Sequence, residues 1–156
     1  MAKFVDAADW SGVPLKSHDV GTRANRKHSY PFGGVCYATE GEMLLAKLLI
    51  EMGVPFTPNV QFVLKPPPGR RSRTDVIFVP DFIFNKQAYI WTDENGREEL
   101  IHGLEAKGMN PDQFTAKGRA KVRLLRETRG INVRLISTKE IRAYLRSGTL
   151  PMRPLK

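Results

Sequence analysis

Two carboxylates and an ammonium stand in apolar company between Val76 and Gly108. Asp81 interrupts the apolar run 76–84, and Glu105 and Lys107 close the run 100–107. Side chains alternate between the faces of a strand, so Glu105 and Lys107 would point one way and Leu104 and Ala106 the other. A carboxylate in an apolar strand loses hydration that only a partner can restore. A divalent ion held by Asp81 and Glu105 would be such a partner, because Mg²⁺ accepts one or two carboxylates and keeps several waters. Bound water becomes a stronger acid, and a neighbouring Lys can orient a nucleophile or steady a phosphate. This set suits metal-assisted phosphodiester hydrolysis. The bland alternative is an edge hairpin with a surface Glu–Lys pair, worth little energetically.

Several elements must position these groups. Thr39 is a plausible N-cap, and Glu42 three residues later completes a capping-box pattern. Met43, Leu44, Leu45, Leu48, Leu49 and Met52 follow at helical spacing, and Gly53 stops the helix. Glu42 extends the apolar stripe of that helix, so its carboxylate is expected to face the sheet; Glu40 is the rival, and capping alone is the plainer role. Residues 60–64 read as the first strand and 76–84 as the strand centred on Asp81. Residues 88–91 read as another, with a turn at Asp93, Glu94, Asn95 and Gly96, and 100–107 as the strand bearing Glu105. His102 falls on the face opposite Glu105 and reads as structural. Asn110, Pro111 and Gln113 predict the start of a second helix, which ends at Gly130. Its Lys117 and Lys121 are one turn apart on one face. Residues 131–136 alternate as a strand, and Ser137 or Thr138 caps a last helix through Leu145.

Pro80-Asp81 followed by Glu105-Ala106-Lys107, both on predicted strands and with Gly108 after the Lys, resembles the signature of the PD-(D/E)XK nuclease superfamily. The order helix, three strands, helix, strand, helix is also that family's core order. The resemblance covers residues 39–147 as a pattern and only a few positions as identities. It implies an α/β fold with a restriction-endonuclease-like αβββαβα core, a mixed central sheet flanked by helices, and a metal-dependent DNA endonuclease. By the same resemblance, Asp81 and Glu105 hold Mg²⁺, with Mn²⁺ as a substitute and the Ala106 carbonyl as a further ligand. Lys107 helps to activate or position the attacking water, and Glu42 completes or tunes the site. Lys117 or Lys121 is the basic residue that such enzymes place on the second helix. Branched DNA, as cut by a Holliday junction resolvase, and the targets of phage or transposon-type endonucleases are the substrates to consider. Two other classes use the same residues: a nucleic-acid-binding module on this fold that does not cut, and a basic RNA-binding protein in which Glu105 and Lys107 merely pair.

The chain of 156 residues suffices for one domain with a proper core. Its charge is uneven. Residues 107–156 carry 13 Lys or Arg against 3 acids, for +10, whereas residues 1–106 carry 12 against 13, for −1. That asymmetry suits a polyanion such as DNA held by the C-terminal part, although solvated basic helices give the same count. Arg70, Arg71 and Arg73 lie in a stiff Pro-rich excursion, 65–73, which can grip phosphates at the end of a hairpin or be a solvated loop. Residues 1–38 show no sustained period and read as an N-terminal arm, residues 39–150 as the nuclease-like domain, and 151–156 as a tail. The single Cys36 excludes an intramolecular disulfide and a zinc cluster. No apolar run spans a bilayer and no signal peptide is evident, so a cytoplasmic protein without membrane contact is expected, acting as a homodimer if both strands are cut.

Overall fold

The computed structural model describes residues 30–66, 74–85, 87–108 and 114–155. These form a mixed α/β structure with three helices: α1 (Glu40–Glu51), α2 (Ala116–Arg129) and α3 (Thr138–Ser147). The central sheet has four strands, β3 (Phe56–Pro58), β6 (Phe82–Phe84), β9 (Gly103–Ala106) and β10 (Val133–Ile136), which lie side by side in chain order. β6 runs antiparallel to both β3 and β9, and β10 runs parallel to β9 with Leu135 opposite Glu105. The parallel pair follows from its connection, because a strand can return in the same direction only by a crossover, here through α2.

Strand alternation sorts the core into two layers. Phe82, Phe84, Leu104 and Ile136 join Leu45, Leu48 and Leu49 of α1 and Ile141 of α3. Ile83 and Val133 turn to the other face and join Leu124 and Leu125 of α2. Glu105, one residue from Leu104, therefore faces the α2 side. Gly103 is opposite Ile83, where a Cβ would run into the Phe82 carbonyl oxygen and come within 2.9 Å of Ile83 Cδ1. Only glycine lets β6 and β9 approach this closely.

Two expected strands are broken by bends. The run 76–84 divides into β5 (Val76–Phe78) and β6, because Pro80 has no N–H for a ladder. Facing it, β4 (Phe62–Leu64) separates from β3 at Asn59, whose φ of +54° lies in the left-handed region that Asn tolerates better than most residues. The Asn59 N–H donates to the Asp81 carbonyl at 3.1 Å and ties the two bends together. β4 and β5 leave as an antiparallel ribbon, so the first strand of the central sheet is Phe56–Pro58 rather than 60–64. The run 100–107 breaks at His102 into β8 (Glu98–Ile101) and β9. β8 pairs with β7 (Tyr89–Thr92) in a separate sheet. The His102 N–H donates to the Asn132 carbonyl at 2.7 Å, its carbonyl accepts from Phe84, and its Nδ1 accepts from the Asn132 N–H at 3.0 Å. His102 is fully buried and serves the bend.

The ends of the chain also differ from expectation. Residues 151–156, read as a tail, supply β11 (Met152–Pro154), which pairs with β7 and covers its edge. Part of the N-terminal arm folds as a hairpin of β1 (Tyr30–Phe32) and β2 (Val35–Tyr37). Gly33 and Gly34, with φ of +60° and +80°, make the two-residue turn, and Tyr37 enters the core beside α1. Helix α2 is capped by Thr115, whose Oγ1 accepts from the Gly118 N–H at 3.0 Å, so it starts later than the Asn110 signal implies. Residues 109–113, residues 1–29 and the Arg70, Arg71 and Arg73 excursion lie outside the described residues.

Candidate active site

Asp81 sits at the bend where the β4–β5 ribbon leaves the sheet, and it is 6% exposed. Its Oδ2 accepts the Ala106 N–H at 2.8 Å, which fixes the carboxylate beside the end of β9. N–H and C=O of one extended residue point to the same side, so the Ala106 carbonyl shares that edge. Glu105 lies one residue earlier and is 3% exposed. Its Oε2 is buried with no hydrogen-bond partner among the described residues; the Lys107 Nζ stands 3.7 Å away, beyond hydrogen-bond distance. Lys107 is half-exposed, so it meets both the buried carboxylate and solvent.

The first turn of α1 brings in the third carboxylate. Thr39 Oγ1 accepts the Glu42 N–H at 3.1 Å, as a cap should. The reciprocal half of the expected capping box is replaced, because Glu42 Oε2 accepts from Ala38 at 3.2 Å. Gly41 allows the close seat: a Cβ there would lie 2.8 Å from Thr138 Oγ1 and 3.7 Å from the Ala106 Cβ. Glu42 is thereby buried, and its charge is felt at the Asp81 carboxyl. Glu40 instead faces solvent and pairs with Arg142 at 3.1 Å.

On the α2 side a cleft of about 500 Å³ opens onto Glu105 and Lys107. Its opposite wall is Lys117, Gly118 and Lys121, and Ile77 and Phe78 of β5 close one end. Lys117 and Lys121 therefore share one cavity with the strand carboxylate. The sequence reading missed two supports of this arrangement. The bend at Asn59 was signalled only by a Pro-Asn pair, and the Ala38 N–H that orients Glu42 left no local pattern.

Three carboxylates this close perturb one another. Asp81 is raised well above the ordinary carboxylate range, first by burial and then by the charges of Glu105 and Glu42, against the Ala106 N–H, which lowers it. Glu105 is pushed up to about 7, mainly by burial; Lys107 opposes this, Glu42 adds to it and Lys121 lowers it slightly. A raised carboxyl binds its proton more tightly folded than unfolded. Its stabilising contribution is therefore full below the unfolded value of about 4.5 and is lost as pH rises to about 7. Urea unfolding in chelator from about pH 5 to about pH 8 should show wild type losing stability relative to Glu105→Gln, by up to about 1.4 kcal/mol per pH unit near the steepest point. Parallel pH profiles for the two proteins would contradict this.

Burial, like charge and a Glu105 oxygen that accepts no hydrogen bond among the described residues together describe a site suited to a hard cation. The donors are all oxygen, which fits Mg²⁺ or Mn²⁺. Among the described residues no three acidic, His or Cys side chains form a preformed metal cage. Asp81 and Glu105 are the carboxylates that could hold such an ion, which accepts one or two carboxylates and keeps waters. Comparison with protein-family models, with curated proteins and with solved structures gives no match to this chain.

Proposed function

We propose that this protein is a metal-dependent endonuclease that hydrolyses phosphodiester bonds in DNA at Asp81, Glu105 and Lys107. The observation that carries the reading is the buried Glu105 carboxylate, one oxygen of which accepts no hydrogen bond among the described residues and meets only Lys107 at 3.7 Å, placed beside Asp81 and opening onto a lysine-walled cleft. Support also comes from the order of elements, with one helix, three strands of the central sheet, a second helix, the fourth strand and a third helix. That is the order expected of the PD-(D/E)XK superfamily; Asp81 immediately precedes β6, and Glu105-Ala106 ends the adjacent β9 with Lys107 just beyond it.

Asp81, Glu105 and the Ala106 carbonyl would hold the ion. When bound, Mg²⁺ acidifies water and offsets the charge of the phosphate. Lys107 presents its ammonium at the mouth of the site, where it orients the incoming water and steadies the phosphate oxygens as negative charge grows. Glu42 adds its negative charge to the effects of burial and Glu105 in holding the Asp81 proton, and so tunes the site. Lys117 and Lys121 draw the backbone into the cleft, and Arg70, Arg71 and Arg73, outside the described residues, are further cations for phosphate binding. No helix among the described residues is long and apolar enough to cross a membrane, and the protein is taken to act on DNA in the cytoplasm. One site per chain and two strands to cut favour a symmetric homodimer.

The test compares supercoiled plasmid with a labelled four-way junction, in Mg²⁺ and in chelator. Cutting is expected only with the ion, and paired symmetrical cuts confined to the junction would specify a resolvase. Lys107→Gln should slow cutting by about 10²-fold or more with binding nearly unchanged. Tight binding without any cutting would replace the nuclease reading by that of a non-catalytic DNA-binding module.

A further inference from the structure

Helix α2 carries a second set of cations that the carboxylate cleft does not use. Lys117 and Lys121 line that cleft, whereas Arg119, Arg123 and Arg126 stand roughly 140–200° around the helix from Lys121. Those three line a separate concavity of about 490 Å³ between α2 and the edge strand β10, together with Arg134, Glu99 and Phe114. Four arginines against one acid leave this lining at +3, from 4 − 1. The acid is already engaged, since Glu99 pairs with Arg134 at 3.1 Å. Arg119, Arg123 and Arg126 make no ion pair among the described residues, and Arg119 lies 6.0 Å over the Phe114 ring.

Cations that merely solvate a helix radiate from a convex surface. These converge on a concave one, where low-dielectric walls focus their field and like charges repel until an anion arrives. Guanidinium forks match phosphate oxygens in pairs, and the Phe114 face beside them suits a sugar or base. The two cation stripes flank a helix that is roughly 10–12 Å across with its side chains. One strand bound along the carboxylate cleft would have to cross the helix to reach the arginines, whereas the two backbones of a duplex lie about that far apart across a major groove, roughly 12 Å wide.

We propose that the concavity between α2 and β10 is a second phosphodiester site, which takes the backbone of a strand other than the one in the carboxylate cleft. The substrate class is then DNA that presents two backbones at once, as a duplex does. This rests on the carboxylate cleft being where a strand is cut.

Binding is measured in the full chain carrying Asp81→Asn, so that cutting does not intervene, with a short single strand and a duplex of the same sequence across a salt series. Adding Arg119→Gln, Arg123→Gln and Arg126→Gln is expected to weaken duplex binding at least tenfold. The slope of log affinity against log salt should flatten by about 2–3, with single-strand binding unchanged within about twofold. Lys117→Gln with Lys121→Gln should weaken both ligands. Arg123→Gln alone, at an exposed position, should flatten the duplex slope by about 1 and stands in if the triple variant does not fold. Equal losses for single strand and duplex, or no loss for either, would overturn the second site. Wild-type cutting is scored separately: duplex-selective loss in a protein that never cuts would keep the second site and remove the nuclease reading.

Discussion

Asp81→Asn is expected to lower the cutting rate by at least about 10³-fold, some 4 kcal/mol of transition-state stabilisation, while the protein melts at the same temperature or higher. Asn keeps the shape of Asp, and its Oδ1 can still accept the Ala106 N–H that now holds the carboxylate at 2.8 Å. The neutral amide also removes the repulsion that Glu105 and Glu42 exert on a buried carboxylate at this position. What disappears is a negative oxygen ligand. A buried Asp kept for architecture behaves in the opposite way, because its removal breaks a satisfied network and lowers stability. Rates on supercoiled plasmid and melting curves in chelator separate the two. Cutting within tenfold of wild type would take Asp81 out of the site, and a large fall in melting temperature with it would assign Asp81 to the bend.

The second large effect concerns the ion itself. In chelator near pH 8 the buried Asp81 and Glu105 resist ionisation, and Lys107 offsets only part of the penalty. A divalent ion that binds the folded chain alone should add about 2.7 kcal/mol at a hundredfold excess over its Kd. For a chain of this length that corresponds to a rise of roughly 5–10 °C in melting temperature. The double variant Asp81→Asn with Glu105→Gln should start higher in chelator and gain nothing from Mg²⁺ or Mn²⁺. Equal shifts in both proteins would mean diffuse surface binding, and no shift in wild type would leave the two carboxylates without an ion.

Much of the site was legible because its determinants are local. Alternation alone put Glu105 and Lys107 on one face, and the cap at Thr39 with Gly53 as stop gave α1 and so the placement of Glu42. Ser137 formed the full capping box with Glu140, and Gly130 ended α2 in the left-handed conformation. The breaks in the strands were not legible as breaks. An apolar run looks the same whether it stays in one sheet or turns into another, since the partner that decides is distant in sequence. Phe84 and Asn132 hold the bend at His102, and Asn59 holds the bend at Asp81. Pro80 and the Pro58-Asn59 pair were the local signs, and Pro80 marks the place where Asp81 leaves the regular ladder. The pairing of Met152–Pro154 with β7 and the division of the cations on α2 depended likewise on neighbours that no short window contains.

The most direct test of the account is one gel on which wild type and Asp81→Asn each meet supercoiled plasmid, with Mg²⁺ or with chelator. The account predicts nicked or linear product in a single combination, wild type with Mg²⁺. Product from Asp81→Asn at a comparable rate, or from wild type in chelator, would contradict it.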